Sequence, residues 1–196
     1  PDFTPTLCDL VGYRLEMKAI QITVFGGPEV MQYTDLPDPV AGESEIVLDV
    51  TAVGINYADT HQTENSYLSP QTLPMVPGIE VTGTHAGKRY LASVSSGGYA
   101  QKAIAHEAAL IPIPDAVTDQ QALCMLVQGA TAWHLLKTMG NLQKGQSVVI
   151  HAAAGGVGTI AIQLAKLWGG KVIAVTSSVS KASLATSLGA DVVVDA

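Results

Sequence analysis

The sequence predicts an α/β chain in two parts: a β-rich, barrel-like region, then a parallel sheet with helices. Three observations carry this. From Ile20 to about Pro114, short apolar–polar stretches are broken repeatedly by Gly and Pro, the texture of a small β domain. At Thr118 the texture turns helical. From Ser147, near-continuous Val/Ile runs alternate with helices, which predicts a parallel sheet buried on both faces.

Taken in order, residues 1–16 have mixed polarity and no period, and are expected to be an extension ahead of Met17. Ile20–Val24 alternates apolar and polar as a half-buried strand does, and Gly26-Gly27-Pro28 ends it. Glu45–Val53 is a second strand, Arg89–Val94 a third and Tyr99–Ala105 a fourth, with a proline-marked loop at Leu73–Gly78. Thr118-Asp119-Gln120-Gln121 reads as a capped helix start, because Gln stands three residues after Thr. A helical run over Thr131–Met139 stops at Gly140. Then come strand Ser147–His151, a glycine turn, a helix with Val157, Ile160, Ala161, Leu164 and Trp168 on one face, strand Lys171–Val175, a short helix Lys181–Leu188 stopped by Gly189, and strand Asp191–Asp195.

Composition bounds the function. Of 196 residues, 47% are hydrophobic and 14% charged, so a core can form and disorder is excluded as the main state. The formal charge of −7, with no basic cluster beyond Lys88–Arg89, argues against a nucleic-acid partner. No apolar run is long enough to span a membrane. Two cysteines, Cys8 and Cys124, make neither a disulfide framework nor a metal quartet, which suits a reducing cytoplasm.

The strongest motif is Ala153-Ala154-Gly155-Gly156-Val157-Gly158, a G-x-G-x-x-G pattern with Ala in first place, directly after a strand and opening a helix. Gly155 lets backbone approach a pyrophosphate, Gly158 lets helix pack on strand, and the helix N-terminus faces the phosphates. About twenty residues on, an NAD site carries an acid for the ribose 2′-hydroxyl. Here stands Thr176-Ser177-Ser178-Val179-Ser180-Lys181, with no carboxylate to repel a 2′-phosphate and a lysine to attract it. NADPH is therefore expected over NADH, with Thr176, Ser177 and Lys181 selecting it.

The segments MKAIQITVFGGPEVM, GINYADT, LPMVPGIE, QGATAWHLL, HAAAGGVGTIAIQLAK and TSSVSKASLATSLGADVVV resemble, in order from Met17 to the last residue, the zinc-independent (zeta-crystallin-like) quinone oxidoreductases of the medium-chain dehydrogenase/reductase superfamily. The resemblance implies a GroES-like catalytic domain over 17–125 and a Rossmann-type NADPH domain, here its first half, over 126–196. It also implies reduction of a quinone or other conjugated carbonyl (an enone) by a cytoplasmic homodimer. The zinc-dependent relatives place Cys where Asn56 stands and His where Ile79 stands, so no metal is expected. Without a Lewis acid, a substrate that spreads the incoming charge over a conjugated system suits the site best.

The same resemblance assigns residues. Asn56 faces the nicotinamide, Asp59 organises its loop, Tyr67 lies at the substrate pocket, and Gln128 and Thr131 lie near the nicotinamide. His61 departs from the family's tyrosine, and two readings stay open: a proton or hydrogen-bond donor, or a polar pocket wall. Trp133 and Trp168 are read as core, His151 as structural. Two further departures are a short segment from Glu80 to Arg89, implying a trimmed hairpin, and Ala196 where relatives carry a cofactor-contacting tyrosine. Rival readings are an enoyl-thioester reductase of the same superfamily and a non-catalytic, crystallin-like NADPH-binding protein. Because only three strands make up the parallel part, the chain is expected to be part of a longer reductase and inactive alone.

Overall fold

The computed structural model describes residues 16–66 and 69–195, and these fall into two compact units divided between Leu123 and Cys124. In the first, β1 (Glu16–Gln21) pairs antiparallel with β2 (Gln32–Pro37). Next come β3 (Glu45–Val53), α1 (Tyr57–Thr63), β4 (Glu80–His85), β5 (Lys88–Ser93), β6 (Lys102–His106), β7 (Leu110–Pro112) and α2 (Asp119–Cys124). Strands β3 to β7 form one antiparallel sheet, ordered β6-β3-β4-β5-β7. The β1–β2 hairpin joins this region through single bridges, Ala19–Ala100 and Ile22–Met75. The expected barrel is thus a partial one, with Leu48, Val81, Ala92, Val94, Ala103 and Ala105 as its core.

The segment from Glu80 to Arg89 forms a tight hairpin. β4 and β5 pair through His85–Lys88, leaving a two-residue turn in which Ala86 and Gly87 both have positive φ, 48° and 74°. That mirror-image turn matches strand twist and suits Gly, but costs Ala strain. The capping signal at α2 is also realised: Gln121 N donates to Thr118 Oγ1 at 3.2 Å, and Thr118 N to Gln121 Oε1 at 3.0 Å. The Asp119 carboxylate accepts from Thr51 Oγ1 and Arg89 Nε, tying the helix start to β3 and β5. These partners, Thr51 first, hold its pKa below the usual carboxylate value.

In the second unit, two π-helical stretches, Met125–Gly129 and His134–Met139, flank α3 (Ala130–Trp133). Then follow β8 (Ser147–Ile150), α4 (Gly156–Leu167), β9 (Lys171–Thr176), α5 (Val179–Ser187) and β10 (Val192–Asp195). The sheet is fully parallel with order β10-β9-β8, the 3-2-1 half of a doubly wound sheet. Its core is Ala132, Leu136, Leu142, Ile150, Ala153, Ala161, Ile162, Ala165, Val172, Ala174 and Ala185. Two expectations change. The buried stripe of α4 centres on Gly158, Ala161, Ile162 and Ala165, with Val157, Ile160, Leu164 and Trp168 flanking it. Among the described residues the helices cover one face of the sheet, and Val149 (53% exposed) and Val192 (51%) lie on the other. Trp133, read as core, is half exposed and meets Trp168 edge to face at 5.0 Å.

Candidate functional site

The glycine turn occupies residues 151–155, between β8 and α4. Ala153 is fully buried, and its N–H donates to Val175 O of β9 at 3.1 Å, locking the turn against the second strand. Gly155 N donates to Ala152 O at 2.8 Å, and Gly155 caps α4 with φ −82°. The left-handed residue is Ala152, φ 48°, one place ahead of Ala153 where the motif puts its tight-turn glycine. A Cβ on Gly158 would lie 2.5 Å from Ala152 O and 2.7 Å from Ala153 Cα, so this glycine is what lets α4 close on the turn. A Cβ on Gly155 would meet only Ala152 O, at 3.2 Å, leaving an open cradle on its outer side. Val157 is partly buried against the core.

The turn and the end of β9 share one groove of about 350 Å³, lined by His151, Ala152, Ala154, Gly155, Val175, Thr176, Ser177 and Lys181. Five residues assigned to the cofactor from sequence therefore converge: Ala154, Gly155, Thr176, Ser177 and Lys181. Lys181 Nζ donates to Ser177 Oγ at 3.1 Å, placing the ammonium at the selector position. Ser178 serves the helix instead, since its hydroxyl caps α5 by accepting from Lys181 N at 3.4 Å. His151, read as structural, is exposed and lines the groove. No periodicity or spacing marks it; only the direction of the turn after β8 does.

Two more assigned residues sit in the same unit. Gln128 lies over the start of α4, so that a Cβ on Gly156 would be 2.7 Å from its amide carbon. Gly156 thus makes room for Gln128 beside the phosphate turn. Thr131 is exposed, and its hydroxyl donates back to Val127 O at 2.6 Å. Gln128 lies in the first π-helical stretch and Thr131 just after it in α3, hydrogen-bonded back to that stretch, and such wide turns recur at functional sites.

In the first unit, Asn56 and Asp59 build a buried polar cluster at the start of α1. Asn56 N donates to Asp59 Oδ2 at 2.8 Å, capping the helix through its third residue. Tyr99 OH donates to the same oxygen at 2.7 Å. Burial first, and this hydrogen bond second, raise the Tyr99 pKa far above a phenol's ordinary value. Asn56 Nδ2 donates to Glu80 Oε1 at 2.8 Å, and Glu80 is 1% exposed. Gly54 gives Glu80 its space, since a Cβ there would be 2.1 Å from Glu80 Oε1. A carboxylate only accepts, so Glu80 fixes which way the Asn56 amide faces. His61 is partly exposed, its Nδ1 2.9 Å from Ser66 Oγ and its ring edge-on to Tyr57. Tyr67 lies outside the described residues. Sequence reasoning did not find Glu80 or Tyr99 as partners; the Asn-x-x-Asp capping spacing at Asn56 was the available signal.

Among the described residues, no group of three or more His, Cys, Asp or Glu is placed to hold a metal ion, and no helix is long and apolar enough to cross a membrane.

Comparison with known proteins returns two family models, an alcohol dehydrogenase GroES-like domain over residues 42–87 and a zinc-binding dehydrogenase over 156–196. The chain is 35% identical to a quinone oxidoreductase of Pseudomonas aeruginosa over 185 residues, 88% of this chain and 57% of that protein. It is similar to the quinone oxidoreductase of Thermus thermophilus, whose crystal structures include its complex with NADPH: 38% identity, TM-score 0.84, covering 90% of this chain and 59% of that one. It is also similar to the Escherichia coli quinone oxidoreductase complexed with NADPH: 30% identity, TM-score 0.86, covering 91% and 58%. The chain therefore spans somewhat under three-fifths of the length of these relatives.

Proposed function

From the premise that the chain belongs to the quinone oxidoreductase family of the medium-chain dehydrogenase/reductase superfamily, we propose that it binds NADPH along α4 and β9. We propose further that the protein it represents passes hydride to a quinone or enone without zinc. The observation that carries the reading is the groove joining the glycine turn to Ser177 and Lys181. Its residues fit the cofactor: an open cradle at Gly155, a helix N-terminus beside it, a cation at the 2′ position and no carboxylate lining it. NADPH when bound would supply the hydride; this chain's residues supply binding, orientation and proton control.

Gly156 presents its backbone amide to the pyrophosphate, and Gly155, whose own N–H is donated to Ala152 O, leaves the space for its approach, while Ala153, Val157 and Gly158 hold the turn against β9 and the core. Ser177 donates and Lys181 attracts at the 2′-phosphate. Gln128 and Thr131 belong to the nicotinamide end. Asn56 belongs to the nicotinamide end by the family resemblance, and Asp59, which accepts from Asn56 N and Tyr99 OH, acts as its positioning residue. The family resemblance leaves His61 as a hydrogen-bond donor to the carbonyl that becomes negative as hydride arrives or as a polar pocket wall, and it assigns Tyr67 to the substrate pocket. Regions 17–125 and 126–196 serve as catalytic and cofactor domains of a cytoplasmic homodimer, a reading supported by the family's resemblance.

The test is calorimetric titration with NADPH and NADH, followed by NADPH oxidation with a panel of small quinones and enones. NADPH preferred at least tenfold supports the reading; equal affinity for both cofactors overturns it.

A further inference from the structure

The phosphate turn holds one glycine more than its motif asks for. Gly155 and Gly158 stand at glycine positions of G-x-G-x-x-G, whereas Gly156 stands at an x, where the motif admits any residue. Gly156 is the first residue of α4, it is exposed, and its φ lies outside the left-handed region. Neither backbone angle nor packing on the strand therefore calls for glycine there. Gln128 does. A Cβ on Gly156 would lie 2.7 Å from Gln128 Cδ, 2.7 Å from its Oε1 and 2.9 Å from its Nε2. Three nearly equal distances mean that the planar amide lies face-on over the glycine, with its hydrogen-bonding edges directed past it.

This contact differs in kind from those of the neighbouring glycines. A methyl at Gly158 would meet the backbone of Ala152 and Ala153, and one at Gly155 the carbonyl of Ala152. A methyl at Gly156 meets the far end of one flexible side chain, which can swing away. Substitution at Gly156 thus moves Gln128 and leaves the turn in place. Both residues belong to the second unit, and neither lines the groove at Ser177 and Lys181.

We propose that Gly156 is a positioning residue: it stays bare to seat the Gln128 amide, and Gln128 serves the cofactor from that seat. This rests on the reading that Gln128 belongs to the nicotinamide end of the NADPH site. An amide already held in place by packing loses less freedom when a ligand arrives, so the seat contributes to affinity without touching the ligand through a side chain of its own.

The experiment is a double-mutant cycle on the whole chain, read as NADPH and 2′-AMP affinity by calorimetry and as Tm. Gln128→Ala and Gly156→Ala should each weaken NADPH about five- to tenfold, and the double variant should be no weaker than either, because the seat and its occupant are lost together. 2′-AMP reaches Ser177 and Lys181 but carries no nicotinamide, so all four proteins should bind it within about twofold of one another. Tm should hold or rise in Gly156→Ala, since alanine favours helix over glycine. Losses that multiply in the double variant overturn the proposal, because Gly156 would then act through its own backbone. A parallel fall in 2′-AMP affinity and Tm overturns it too, as the mark of a collapsed turn. If Gln128→Ala leaves NADPH affinity unchanged, the reading of Gln128 itself fails. If Gln128→Ala weakens NADPH and Gly156→Ala does not, the role of Gly156 alone is defeated.

Discussion

Two glycines three residues apart carry different burdens, and substitution separates them. A methyl at Gly158 runs into the backbone of Ala152 and Ala153, which cannot move without breaking the Ala153–Val175 hydrogen bond. Gly158→Ala should cost about 1–3 kcal/mol, read as a lowered Tm. A methyl at Gly155 meets only one carbonyl and sits on a backbone angle open to any residue. Gly155→Ala should leave Tm nearly unchanged and weaken NADPH at least tenfold, because the methyl fills the cradle. Lys181→Ala should weaken NADPH about tenfold and leave NADH unaltered, since NADH lacks the group that the ammonium meets. A different residue tests strain: Ala86→Asn, at φ 48° in the β4–β5 turn, should stabilise the chain by about 0.5–1 kcal/mol. The glycine roles were legible because spacing after a strand specifies them. The left-handed strain at Ala152 was not, because alanine gives no sign of positive φ.

Elements were legible where burial imposes a period. The limits of β3 match the sequence reading because Ile46, Val47, Val50, Thr51 and Val53 favour extended backbone and Gly54 ends the run. β2 was missed: Gln32–Pro37 holds an acid and a proline, and its pairing with β1 supplies what its composition does not. α1 was missed because YADTHQT has no apolar stripe; three of its seven residues, Asp59, Gln62 and Thr63, are buried polar ones. Its stability comes from the cap at Asn56, not from a hydrophobic face. At the end of the second unit, the Asp191 carboxylate accepts from Lys166 Nζ at 2.8 Å and from Val172 N at 2.7 Å, joining α4, β9 and β10. Lys166 first, then the Val172 amide, hold its pKa below the ordinary carboxylate value. A depressed folded-state pKa contributes stability above the unfolded value, about 4, and loses it as pH falls through the lower folded value. Thermal melts should therefore show Tm dropping below about pH 4, with a shallower slope in Asp191→Asn. Asp119→Asn should act in the same direction for the first unit, where Thr51 and Arg89 lower Asp119.

At the scale of the whole molecule, the parallel sheet shows what a pattern of apolar runs can and cannot tell. Unbroken Val/Ile runs announce a sheet meant to be covered on both sides, and such runs predicted one here. In the structure, Val148, Ile150, Val172, Ala174 and Val193 turn toward the helices and the core. The alternate residues lie on the other face. Register places Val149, Ile173 and Val192 in one row across the three strands, and Val175 beside Val194 in another. Val149, Val192 and Val194 are each about half exposed, and β8 and β10 are both open edges of the described sheet. Apolar rows with unpaired edges attract other chains. The 196-residue chain should therefore self-associate as its concentration rises, measurable by light scattering. Val149→Lys, which puts a charge in the central row without touching the groove, should raise the monomer fraction while leaving NADPH affinity within about twofold. Unchanged association would show that the uncovered face is not what brings chains together. Lost NADPH affinity in the same variant would show that the face and the groove are not independent.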